Sequence, residues 1–130
     1  MRILLDTQHL LWLFIEPEKI SAKNKYLLTD EENEICYSPV SLWEISIKYG
    51  IGKLKLNNAT PEVLKQEIER SFLVRKELTD NELTTSYHLP KEHNDPFDLL
   101  LIWQAIQSNM AFMTSDSKAK FYKDYGLQVL

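Results

Sequence analysis

Four carboxylates, Asp6, Glu44, Asp98 and Asp116, carry the chemistry open to this sequence. Asp98 most needs explaining, because the run Asp95-Pro96-Phe97-Asp98-Leu99-Leu100-Leu101-Ile102-Trp103 places it at the head of an otherwise apolar helix. Asp95 is suited to cap that helix and Pro96 to open it. At about 100° per residue, Asp98 shares a side with Leu101, Ile102 and Ala105, while Gln104, Gln107 and Ser108 fall on the more polar side. A carboxylate taken from water costs several kcal/mol unless it finds a partner. On this segment alone, Asp98 reads equally as an acid complementing the helix dipole. Asp6 follows the apolar run Ile3-Leu4-Leu5, and Asp116 comes just after Ala111-Phe112-Met113-Thr114. Glu44 lies about 40° from Val40, beside the stripe of Val40, Trp43 and Ile47. Taken alone, Glu44 and Lys48 at i, i+4 form a plain surface pair. Four acids from four separate segments each need a different excuse unless they act together.

Carboxylates gathered in one cleft repel, so some stay protonated or the cluster loses stability unless cations fill it. Oxygen ligands select hard ions. With one cysteine and only His9, His88 and His93 as nitrogen donors, the expected ions are Mg²⁺ or Mn²⁺ rather than Zn²⁺. Such ions suit phosphodiester hydrolysis, in which they activate water and stabilise a departing 3′ oxygen.

The elements that must position these acids are short. Strands are expected at Ile3–Leu5, Glu34–Tyr37, Ala111–Thr114 and Leu127–Leu130, with Phe72–Val74 as a short extended link. Helices are expected at Gln8–Phe14, after Ser21, from Pro39 to Gly50 behind Ser38, after Thr60, from Asp80 to Leu89 behind the capping box Thr79–Glu82, from Pro96, and at Ser117–Tyr125. Strands alternating with helices predict an α/β fold with a short, mostly parallel sheet flanked by helices on both faces. Ligands collect outside the carboxyl ends of strands in such sheets, where Asp6 and Asp116 lie.

The chain of 130 residues is expected to form one domain over 1–130, and 44% hydrophobic with 26% charged residues is ordinary for a globular protein. No apolar run approaches the roughly 20 residues of a membrane span, and no signal peptide is expected. The lone Cys36 reads as a small core residue, which fits a reducing cytoplasm. A net charge of −4 argues against gripping nucleic acid by charge alone unless several acids hold cations. Trp12, Trp43 and Trp103 are read as core or interface packing rather than base-stacking platforms.

Leu4-Leu5-Asp6-Thr7, Ser41-Leu42-Trp43-Glu44-Ile45, Asp95-Pro96-Phe97-Asp98 and Thr114-Ser115-Asp116 occur in that order. Jointly they resemble the PIN-domain ribonucleases, specifically the VapC-like toxins of toxin–antitoxin pairs. The resemblance implies a Mg²⁺-dependent endoribonuclease, a homodimer, and a cognate antitoxin that blocks the site. By position, Asp6, Glu44 and Asp98 match the family's three main acidic ligands and Asp116 its fourth. Thr7, Thr114 and Ser115 match small polar neighbours that orient water or phosphate. Asp95 is an extra acid, kept mainly as the cap. Where similar sequences carry Arg after the third acid, this chain has Leu99, which shifts substrate grip toward Lys48, Lys53 or Lys55.

Two other readings are open. An aspartyl-phosphate phosphatase or receiver domain would use Asp6 as nucleophile, but Asp6-Thr7-Gln8 lacks the second acid two residues on, and no acidic pair precedes a phosphorylation site. An inactive PIN-like binding module is favoured by Leu99 and opposed by acids at all four matching positions.

Overall fold

The computed structural model describes residues Met1–Leu130. Five strands, β1 (Arg2–Leu5), β2 (Glu34–Tyr37), β3 (Val74–Arg75), β4 (Ala111–Met113) and β5 (Gln128–Val129), form one sheet in the order β3-β2-β1-β4-β5. Every pairing is parallel, so the mostly parallel sheet expected from the sequence is parallel throughout. β1 is central, with Leu4 opposite Cys36 on one side and Phe112 on the other.

Alternation along the strands divides the apolar residues between the faces. Ile3, Leu5, Ile35, Tyr37, Ala111 and Met113 point to one core, which α1 (Thr7–Ile15), α2 (Ala22–Thr29), α3 (Pro39–Gly50) and α4 (Pro61–Glu69) cover with Leu10, Leu28, Ile45, Leu64 and Ile68. Leu4, Cys36 and Phe112 point to the other, which α6 (Pro96–Gln107) fills with Leu101, Ile102 and Ala105. Cys36 is thus a core residue as read, and burial beside Glu34 pushes its thiol up to about 11.

The caps match the sequence signals. Ser38 Oγ accepts from the Val40 N–H at 3.2 Å at the head of α3, and Asp95 Oδ1 accepts from the Phe97 and Asp98 N–H groups at 2.9 and 3.4 Å at the head of α6. The capping box of α5 (Asp80–Thr85) forms between Thr79 and Glu82.

Two expectations need correcting and one is refined. The helix expected to reach Leu89 is α-helical only to Thr85 and tightens to a 3-10 turn at Ser86–His88. Thr84 and Thr85 hydroxyls donate back to the Asp80 and Asn81 carbonyls, which competes with regular winding, and Pro90 forbids continuation. The helix expected at Ser117–Tyr125 forms with those bounds and winds as 3-10, starting with Ala119 N–H closing on the Asp116 carbonyl and ending at Gly126, whose φ of 100° suits glycine. Gln104, placed on the polar side of α6, is fully buried, because its amide N–H₂ satisfies the carbonyls of Lys76 and Glu77 after β3, each at 3.1 Å.

Of the tryptophans, Trp12 packs edge-on to His9, Trp103 donates to Thr85 Oγ1 at 3.1 Å, and Trp43 is 64% exposed over Phe97. No helix is long and apolar enough to cross a membrane.

Candidate active site

The sheet brings all four acids to one cleft of about 530 Å³ at the carboxyl ends of β1 and β4. Asp6 is fixed most firmly. Its own N–H continues the ladder, donating to the Met113 carbonyl at 3.1 Å, and its carboxylate caps α1. Oδ1 takes both the His9 N–H at 2.7 Å and the His9 ring Nδ1–H at 2.9 Å, which leaves Oδ2 without a protein partner. The ring is held from behind by Asn24, whose Nδ2 lies 3.5 Å from His9 Nε2.

Glu44, in the middle of α3, is only 4% exposed. It is both the ion-pair residue and the buried acid that the sequence left as alternatives. Lys48 Nζ bonds to Oε2, while Oε1 is buried with no hydrogen-bond partner. Burial works against the Lys48 ammonium, but its bond to Glu44 and the charges of Glu44, Asp95 and Asp98 hold it above the ordinary lysine value.

Asp98 faces inward from the first turn of α6. Burial, then the charges of Asp95, Glu44 and Asp6, against the opposing influence of His93, push its carboxyl up to about 7. Asp116 behaves oppositely. Burial raises it, but the Lys118 N–H at 3.0 Å, the His93 ring at 2.6 Å and the Lys118 charge together hold it below the usual carboxylate value. The two acids are therefore tuned apart by the groups that surround them.

Of the expected substrate contacts, Thr7, Ser115 and Lys48 line the cleft, and so does Lys53, while Lys55 does not. Thr7 Oγ1 donates to Ser41 Oγ at 2.9 Å, tying the start of α1 to α3. Thr114 is buried outside the cleft lining, with its hydroxyl accepting the Asp116 N–H at 3.1 Å. Its side chain is spent on shaping the turn that carries Asp116. Asp95, read mainly as the cap, is the cap and also lines the cleft. Leu99 is turned away from the acids into an apolar groove of about 410 Å³ with Trp43, Phe97 and Leu100.

Sequence reasoning left His9, His88 and His93 without a role. His88 is exposed, whereas His9 and His93 are buried and both touch acids of the cleft. His9 had a usable signal, since it stands three residues after a capping acid, where a first-turn side chain can turn back on its cap. His93 reaches Asp116 across 23 positions, a contact that spacing does not encode.

A PIN domain family model matches residues 3–124, nearly the whole chain, and the chain belongs to the PIN domain family. The sequence finds no match among curated proteins. Among solved structures, the fold is similar to a chain of VapBC2 from Rickettsia felis bound to a DNA fragment from its promoter, with a TM-score of 0.70 and 22% identity over 100% of this chain and 98% of that one. It is also similar to VapBC-1 from nontypeable Haemophilus influenzae, with a TM-score of 0.66 and 20% identity over 100% and 97%. DNA-bound VapBC from Salmonella typhimurium gives a TM-score of 0.68 at 17% identity over 100% and 97%.

Proposed function

We propose that the chain, as one PIN domain over residues 1–130, is a Mg²⁺-dependent endoribonuclease acting as the toxin of a toxin–antitoxin pair. The observation that carries this reading is the cleft itself, where Asp6, Glu44, Asp98 and Asp116 meet from four segments. Two details fit a divalent cation. Glu44 Oε1 is a buried oxygen lacking a partner, and Asp98 is pushed up to about 7 in part by the negative charges around it. An all-oxygen donor set suits Mg²⁺ or Mn²⁺.

Asp6 through Oδ2, Glu44 through Oε1, and Asp98 and Asp116 through their carboxylates are the residues that would hold the ion. An ion held there would supply activation of a water near neutral pH and charge to offset that on the departing oxygen. The chain's residues do the rest. Asp98, whose carboxyl is pushed up to about 7, would have to be ionised to serve as a ligand. Lys48 and Lys53 put positive charge on the cleft wall where an RNA phosphate arrives, which partly replaces the Arg that Leu99 displaces. Thr7 and Ser115 offer hydroxyls to phosphate or water from the same wall.

The likeness to chains of VapBC complexes supports an antitoxin partner. The homodimer, and a basic antitoxin side chain entering the acidic cleft, are what the resemblance of the motifs to VapC-like toxins leads us to expect. The test is cleavage of labelled RNA by purified protein with Mg²⁺ and with chelator. Cleavage that needs the ion and is lost in Asp6→Asn supports the reading. A folded protein that binds Mg²⁺ but leaves every RNA intact would instead support the inactive binding module.

A further inference from the structure

His93 is 5% exposed, and its backbone N–H and both ring nitrogens have partners. Its backbone N–H donates to the Tyr122 hydroxyl at 2.9 Å, and that hydroxyl donates in turn to the Pro90 carbonyl at 2.7 Å. Its ring Nδ1 accepts the Asp95 N–H at 3.1 Å. Its ring Nε2 lies 2.6 Å from Asp116 Oδ2 and 3.2 Å from Asp98 Oδ2. A ring nitrogen that accepts an amide N–H carries no proton itself, so the ring hydrogen sits on Nε2. Nε2 then has a hydrogen to give and no lone pair to offer a cation.

His93, Asp98 and Asp116 bring their ligand atoms within 4.8 Å of one another, which on composition alone would pass for a histidine-containing metal centre. The Asp95 N–H argues otherwise, because it assigns the ring as a donor. We propose that His93 is a positioning residue, whose Nε2–H bonds Asp116 Oδ2 beside Asp98 Oδ2 and so sets the spacing of these two acids, both of which would hold the cation. The inference rests on the reading of the cleft as a metal site.

The arrangement solves a geometric problem. Asp98 is carried by α6 and Asp116 by the turn after β4, and no backbone hydrogen bond joins those two segments at the cleft. Two like charges there would drift apart. One N–H placed against both oxygens offsets the repulsion and fixes a distance. The ring cannot swing away, since Asp95 holds it from behind, and its backbone is tied to Tyr122, which is fully buried in the core beside α6. The cap of α6 thus anchors the histidine that orients the acid on that helix's first turn.

Two variants and one spectrum test this. His93→Leu removes the donor, and His93→Gln restores an N–H at about the reach of Nε2. Mn²⁺ affinity, measured as free ion by electron paramagnetic resonance, should fall about 10- to 100-fold in His93→Leu, as for other outer-sphere partners of metal ligands. His93→Gln should recover most of that loss. In wild type, ¹⁵N spectra of the three histidine rings should show His93 as the Nε2–H tautomer both without and with Mg²⁺. His9 should be the opposite, Nδ1–H, and exposed His88 should average the two. Wild-type Mn²⁺ affinity in a folded His93→Leu protein would overturn the inference alone. So would a His93 ring protonated at Nδ1, or one that loses its Nε2 proton on binding the ion. A wild-type chain with no affinity for Mn²⁺ or Mg²⁺ would overturn the reading of the cleft and this inference with it. Should His93→Leu fail to fold, the wild-type ring spectrum and His93→Gln still decide, since a His93→Gln protein no better than tenfold below wild type in affinity would overturn the donor role.

Discussion

Asp98 is the residue at which stability and function pull in opposite directions. Its carboxyl sits at about 7 in the folded chain and near 3.8 when unfolded, so between those values the folded state holds a proton that the unfolded state has released. The state binding more protons gains as pH falls, hence metal-free stability declines as pH rises from about 4 to 7, on the order of a few kcal/mol. With chelator present, wild type should therefore melt lower at pH 8 than at pH 5. Asp98→Asn cannot ionise there, so its melting temperature should fall less and exceed that of wild type at pH 8. Parallel pH profiles for the two proteins would mean that Asp98 bears no such strain. Activity should run the other way. Asp6→Asn, Glu44→Gln and Asp98→Asn should each remove most Mg²⁺-dependent RNA cleavage, because each gives up a carboxylate oxygen proposed to hold the ion. Asp116→Asn should lose less, since Asp116 already shares its charge with the Lys118 N–H and His93. Near wild-type cleavage by any of the first three would remove that residue from the site.

At the scale of elements, what the sequence revealed was local and what it concealed was distant. Ser38-Pro39, Asp95-Pro96 and the Thr79–Glu82 box announce helix starts because a cap bonds within three residues, and all three form. Asp6 and the turn before Asp116 were readable as strand ends because an apolar run stops on polar residues. Gln104 was misplaced because helical periodicity treats an amide as solvent-seeking, whereas two carbonyls 27 and 28 positions away accept from its buried N–H₂. His93 was silent for the same reason, its partners lying at both short and long range. Glu44 remained ambiguous in sequence because burial and an i+4 ion pair coexist there. The α6 cap allows a test at this scale. Asp95→Asn keeps an oxygen for the first-turn N–H groups and removes a charge beside Asp98, so it should preserve the melting temperature at pH 5 and reduce the decline toward pH 8. Asp95→Ala loses the cap as well, at a cost of about 1 kcal/mol, and should melt a few degrees lower at both pH values. Equal melting of the two variants would show that the carboxylate does not cap α6 in solution.

For the whole molecule, the four acids gathered in the cleft repel one another, and on the proposed reading a bound cation would offset that repulsion. A ligand at a hundred times its dissociation constant stabilises the folded state by about 2.7 kcal/mol, so saturating Mg²⁺ should raise the wild-type melting temperature by several degrees and that of Asp98→Asn by less. Identical shifts would place the bound ion away from Asp98. Expressed alone, the wild type should arrest growth while the metal-ligand variants do not, and a small protein encoded beside it should restore growth; arrest by Asp6→Asn as strong as by wild type would argue against RNA cleavage as its cause. The topology adds a matter of timing. β1 carries Asp6 at the amino end of the chain, yet the strand beside it on the Asp116 side is β4, made from residues 111–113, so the ladder that ends on Asp6 cannot close until more than a hundred further residues exist. Synthesis proceeds at about 5–20 residues per second, and a parallel pairing of such separation forms late. A polypeptide still being translated therefore holds Asp6 and Glu44 without Asp116 or its turn, so the four-acid cleft is assembled only once the chain has been made past residue 116.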